Sequence, residues 1–157
     1  MNKEAILNHL KDQLQSEFQK AKLAYETSRK HATSDEMKSE GKYDTRSIEA
    51  GYLAGAQKRR VDELEEEVKL LDEIDLSLPN DTVSVGSLVN IEFNDIERTY
   101  FISSTSGGSM IKNESGVILV ISAFSPIGVE VIGLSSGDSF EVEIQGNTRE
   151  YTVKSIS

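Results

Sequence analysis

The chain has 157 residues and a mass of 17.4 kDa, room for one domain or for a small domain with an extended appendage, which excludes a large multidomain enzyme. Its 27 acidic against 17 basic residues leave a formal charge of −10, so it lacks the basic face that self-sufficient binding to duplex DNA needs, and a protein partner is expected instead. Cysteine is absent, which removes disulfides, thiolate metal sites and a cysteine nucleophile and fits a reducing cytoplasm.

The first thirty residues carry charges throughout, from Lys3 and Glu4 to Arg29 and Lys30, so no secretory leader is expected, and no run reaches the ~18 apolar residues of a membrane span. From Asn2 to Leu76 there is no proline, and Ile6, Leu10, Leu14, Phe18, Ala21 and Tyr25 recur every three or four residues, which predicts a first helical arm. A polar stretch, Thr33 to Lys42, interrupts the period. Thr33 or Ser34 is a candidate N-cap there, and Gly41 a breaker. A second arm starts near Asp44, with Val61, Leu64, Val68 and Leu71 at the 3-4-3 spacing of a coiled-coil seam and Asp62, Glu63, Glu65, Glu66 and Glu67 solvating its flanks. The break near the middle predicts an antiparallel coiled-coil hairpin over residues 1–76, on the order of 45 Å long at ~1.5 Å per residue. Gly51 and Gly55 either let the first arm approach closely or are ordinary small-residue packing.

Leu78-Pro79-Asn80-Asp81 is a breaker cluster and marks the boundary. Residues 77–157 read as a small α+β domain, an antiparallel sheet with one short helix. A strand through Val83, Val85, Leu88, Val89, Ile91 and Phe93 bends at Gly86, and Thr99 to Ser103 forms a second. Ser104 to Ser109 is a loop, and Val117 to Ala123 an apolar strand. Ser125 caps a helix that Pro126 opens and Gly133 stops. Strands Ser139 to Ile144 and Glu150 to Ile156 are joined by Gly146-Asn147. This half holds 4 basic and 10 acidic residues, which excludes it as a nucleic-acid platform.

Chemistry-bearing residues are sparse. His9 and His31 share one predicted helix, roughly 33 Å apart, so they cannot share a metal or a triad. No phosphate-binding glycine motif occurs. Asp35, Glu36 and Glu40, flanked by Lys38 and Lys42, form an acidic group at the hairpin tip. Such carboxylates suit magnesium but hold it poorly alone; they fit either a metal shared with another molecule or a solvated helix connection. Lys58, Arg59 and Arg60 face an acidic surface or RNA phosphate, or are simply solvated.

Two stretches resemble a known family. Lys38-Ser39-Glu40-Gly41-Lys42-Tyr43, then Gly51-Tyr52-Leu53-Ala54-Gly55 and Glu63-Leu64-Glu65, are similar to the tip and returning helix of the bacterial GreA/GreB transcription elongation factors. Gly86-Ser87-Leu88-Val89, Ser125-Pro126-Ile127-Gly128, Leu134 and Gly137-Asp138 resemble that family's C-terminal signature. The resemblance implies a coiled coil joined to an FKBP-like domain that binds RNA polymerase at the rim of its secondary channel. It further implies a cytoplasmic monomer that meets DNA and nascent RNA only within the elongation complex and does not itself catalyse. The tip acids Asp35, Glu36 and Glu40 would help hold a magnesium ion shared with the polymerase, so that the polymerase cleaves backtracked RNA. Lys38, Lys42 and Arg46 would face RNA or polymerase, and Ser125, Pro126, Ile127, Gly137 and Asp138 would bind the partner. Fold alone implies no prolyl isomerase activity. The family's second tip acid falls on Ser39, with Glu40 one residue further on, a displacement of roughly 100° on a helix. The resemblance therefore also admits a channel-binding regulator that stimulates no cleavage. Apolar side chains from Phe124 to Val131 are either core or the polymerase-facing surface.

Overall fold

A computed structural model of the chain describes residues 2–32 and 45–157. Helix α1 spans Lys3–Ala32 and helix α2 spans Thr45–Asp72. Asn2 opens α1: its side-chain oxygen accepts the Ala5 N–H at 2.8 Å and its carbonyl accepts the Ile6 N–H at 3.1 Å. The chain divides into two compact units, one formed by Asp12–Lys69 and the other by Met1–Lys11 with Leu70–Ser157.

In the helical unit, Leu14, Phe18, Ala21, Tyr25 and Ser28 of α1 are buried or half-buried at alternating spacings of four and three, while their neighbours are exposed. Ala54, Gln57, Val61, Leu64 and Val68 do the same on α2. These two seams have the spacing by which paired helices bury one face each. Their direction follows from the cross-pairs: Glu17 meets Arg60 at 3.6 Å, whereas Tyr25, further along α1, lies under the Lys58 ammonium, earlier on α2. The helices are therefore antiparallel, as the symmetry of the helical half predicts. Arg60 also reaches Glu63 and Glu67 at 3.7 Å each, so the basic triplet is largely occupied within its own unit. Lys58 pairs with Asp62 at 3.6 Å. Gln57 places its Oε1 in the seam without a hydrogen-bond partner among the described residues, a defect that costs stability.

Among the described residues, the close approach considered for Gly51 and Gly55 does not occur. A Cβ at either would meet nothing within 4 Å, because both glycines are exposed and the buried seam position between them is Ala54. Gly51→Ala and Gly55→Ala are accordingly expected to stabilise the helix by up to about 1 kcal/mol each, read as a higher thermal midpoint than the parent's in calorimetry.

The sheet unit contains β1 (Leu88–Phe93), β2 (Ile96–Ser103), β3 (Met110–Asn113), β4 (Gly116–Ser122), helix α3 (Pro126–Val131), β5 (Ser139–Ile144) and β6 (Asn147–Ile156), in the spatial order β3-β4-β2-β1-β6-β5. The expected α+β architecture stands, with one qualification: β2 and β4 run parallel, so the sheet is mixed. The cause is β3. It crosses to the far edge and hairpins back through Glu114-Ser115, delivering β4 between itself and β2 in the direction of β2. Hairpins β1–β2 and β5–β6 turn on Asn94-Asp95 and Gln145-Gly146, all four residues at positive φ, the two-residue turn that matches strand twist. Asn147 is thus the first residue of β6, not part of the turn. Val83 to Gly86, expected to extend the first strand, form no ladder. Val83 instead exchanges backbone hydrogen bonds with Gly133 and Leu134, and Gly86 turns at φ +97, where a side chain would press on Ile74 and Leu76.

The faces of the sheet are sorted by period two. One carries Val89, Ile91, Ile102, Ile121, Phe140, Val142, Tyr151 and Val153, which pack with Val83 and with Val131 of α3 into the main core. On the other, Phe101, Ile111, Ile118 and Val120 are buried, and in the same unit so are Ile6, Leu10 and Leu71 from the helix ends. Lys11 and Asp72 close this end of the helix pair at 3.1 Å, and Ser104 Oγ donates to the Leu70 carbonyl at 3.2 Å.

Candidate functional site

The acids Asp35, Glu36 and Glu40 and the lysines Lys38 and Lys42 fall in the segment that joins α1 to α2 and lie outside the described residues. Arg46 belongs to the first turn of α2. Carboxylate oxygens are the type of donor magnesium takes, one or two at a time with water filling the rest. Among the described residues, no three histidine, aspartate or glutamate side chains are grouped to hold a metal.

The second candidate group is fully described, and it begins at the end of β4. Ser125 caps α3: its Oγ accepts the Gly128 N–H at 3.0 Å and donates to the Ser122 carbonyl at 2.7 Å. Pro126 follows at the first turn, where a missing N–H is harmless. Gly128 lies against the backbone of Ser122 and Ala123, with no room for a side chain. These contacts make a six-residue helix rigid, although its length alone would leave it marginal. Ile127 turns inward against the core.

The open question of core or surface along Phe124 to Val131 resolves position by position. Gly128 and Val131 are buried, whereas Phe124 is 81% and Val129 60% exposed. Phe124, in the turn before the cap, and Val129, on α3, therefore both present apolar side chains to water. Gly137 and Asp138 do different work. Gly137 N–H donates to the Val153 carbonyl at 2.7 Å, and Asp138 accepts the Ser135 N–H at 2.8 Å, so together they shape the turn that starts β5. Their hydrogen bonds run to that turn and to β6 rather than to α3.

Spacing did not reveal an apolar groove on the core-bearing face, in which Arg98 and Arg149, far apart in sequence, stand on strands β2 and β6 with β1 between them.

The model of the GreA/GreB transcription elongation factor C-terminal region matches residues 78–157. The transcription elongation factor GreA of Lachnoclostridium phytofermentans is 39% identical over 57% of this chain and 51% of its own length, so that match takes in about half of the relative. GreA of Cereibacter sphaeroides is 32% identical over 70% of this chain and 74% of its own. Among solved structures, Gfh1 of Thermus aquaticus is similar at 19% identity, covering 92% of each chain with a TM-score of 0.40.

Proposed function

Since the chain belongs to the GreA/GreB family of transcription elongation factors, we propose that it binds RNA polymerase at the secondary channel and helps the polymerase cleave backtracked RNA, supplying carboxylates while the polymerase supplies the catalysis. The observation that supports the reading is the exposure of Phe124, in the turn before the Ser125 cap, and of Val129, on the capped helix α3, both inside the family-matched region. In this reading the sheet unit is the foot that docks, and the segment between α1 and α2 is the working end. Asp35, Glu36 and Glu40 would contribute oxygens to a magnesium ion that the polymerase also holds, and such an ion would supply Lewis-acid chemistry for the cleavage. Lys38, Lys42 and Arg46 offer positive charge for RNA phosphate in the same region.

Phe124→Asp combined with Val129→Asp tests the docking role. Each position is exposed, so the fold should survive with an unchanged thermal midpoint. Affinity for RNA polymerase should nevertheless fall roughly thirtyfold or more, the scale of a lost apolar hot spot. Titration of polymerase with labelled protein reads this directly, and an unchanged dissociation constant would remove the foot from this surface. A second reading rests on Ser39 standing where the family has its second tip acid: the chain would then occupy the channel and alter initiation or pausing without promoting cleavage.

A further inference from the structure

On the core-bearing face of the sheet, beyond the ground that α3 covers, lies an open groove of about 380 Å³ lined by Phe93, Ile96, Tyr100, Ile127, Ile144 and Tyr151, with Arg98 and Arg149 at its sides. Its volume lies within the range of ligand-binding sites. The aromatic floor is ordered: Tyr151 packs on Phe93 and Phe140 with ring centroids 5.0 and 5.3 Å away. Partial burial pushes the Tyr100 hydroxyl above its ordinary pKa even with the Arg98 guanidinium beside it.

The two arginines are the distinguishing feature. From Ser77 onward the chain has 10 acidic residues and only 4 basic ones, and two of those four flank this one groove. Among the described residues, neither guanidinium pairs with a carboxylate. Arg149 lies over the Phe93 ring at 5.5 Å and Arg98 is tied to the Tyr100 side chain, whereas Lys154 is neutralised by Glu92 at 3.6 Å. Their strands lie on either side of β1, and Arg98 stands opposite Ile91 whereas Arg149 stands over the Phe93 ring, so the two are offset along the strands as well as across them. An extended peptide laid across the groove can therefore meet one arginine with an acid on each side of a buried apolar residue. Guanidinium forks recognise carboxylates in this way with two hydrogen bonds each.

We propose that this groove is a second docking site, separate from the Phe124 and Val129 surface, and that it takes an acidic peptide segment bearing a bulky apolar side chain between carboxylates. A nucleic acid strand is the poorer occupant, since its affinity comes from neutralising many phosphates and this unit has only 4 basic residues, two of them away from the groove. The inference does not depend on the polymerase reading.

The test uses the full chain labelled with ¹⁵N and the synthetic peptide Asp-Asp-Leu-Phe-Asp-Asp. Saturable binding is expected, with amide shifts centred on Phe93, Tyr100, Ile127 and Tyr151. Arg98→Ala and Arg149→Ala should each weaken it about tenfold without lowering the thermal midpoint, because both side chains are exposed. Phe124→Asp should leave it unchanged, which separates this site from the polymerase foot. The inference is overturned by any of three results: no saturation at about 1 mM peptide, equal binding of Lys-Lys-Leu-Phe-Lys-Lys, or tighter binding of a six-nucleotide uridine strand.

Discussion

Alanine at Glu36 is expected to lower RNA cleavage in backtracked elongation complexes by roughly a hundredfold, with little change in affinity for polymerase. Removing one carboxylate from a shared magnesium withdraws several kcal/mol of stabilisation from the developing charge, and about 2.7 kcal/mol already corresponds to a hundredfold in rate. Asp35→Ala and Glu40→Ala should act in the same direction. Glu40 is the informative member, because Ser39 occupies the position where the family carries an acid. If Glu40 replaces that acid, Glu40→Ala will be as damaging as Glu36→Ala, and Ser39→Glu will add little. Binding and cleavage are measured separately, one by titration and the other by the length of the RNA. Tip variants that bind and act like the parent would instead establish the regulator, with the channel occupied and no chemistry assisted.

Gly128→Ala is expected to destabilise the sheet unit by about 3 kcal/mol, more than a hundredfold in its folding equilibrium. The new methyl group would overlap the Ser122 carbonyl oxygen and press on the Ala123 backbone, neither of which can swing aside as a side chain can. The same carbonyl accepts from Ser125 N–H and Ser125 Oγ, so relief of the overlap would break the cap that holds α3. The measurement is chemical denaturation of the full chain. The docking surface should weaken along with it, since Phe124 and Val129 flank this point. A midpoint within experimental error of the parent's would show that β4 and α3 can separate freely, contrary to the packing described.

The helical half was legible in sequence because its information is local: seam positions such as Leu14, Val61 and Leu64 carry their own period. Small residues are less informative. Gly51 and Gly55 look the same whichever way they face, and only the burial of Ala54 shows that they point away from the partner helix. In the sheet unit the capped start of α3 could be read from Ser125, Pro126 and Gly133. Strand β3 could not, being four residues long with only Ile111 buried. The parallel pairing of β2 and β4 was equally hidden, because it depends on where a crossover lands rather than on any residue's preference. The exposure of Phe124 and Val129 needed the fold, since apolar residues inside and outside a core share one alphabet. Arg98 and Arg149 were invisible as a pair for a similar reason, with only the hydrogen-bonded order β2-β1-β6 placing them on one groove. The roles proposed for Asp35, Glu36 and Glu40 came from family resemblance, as spacing alone favours a solvated connection.

Strand β6 is the sixth to be synthesised yet it lies inside the sheet, between β1 and β5, and its Val153 is wholly buried. While the nascent chain is still leaving the ribosome, β1 must therefore wait with an open edge, its Val89 and Ile91 facing water and its backbone donors unmatched. That interval is when edge-to-edge clumping with other unfinished copies is most favourable. Slowing translation between the codons of β1 and those of β6 would lengthen the exposure.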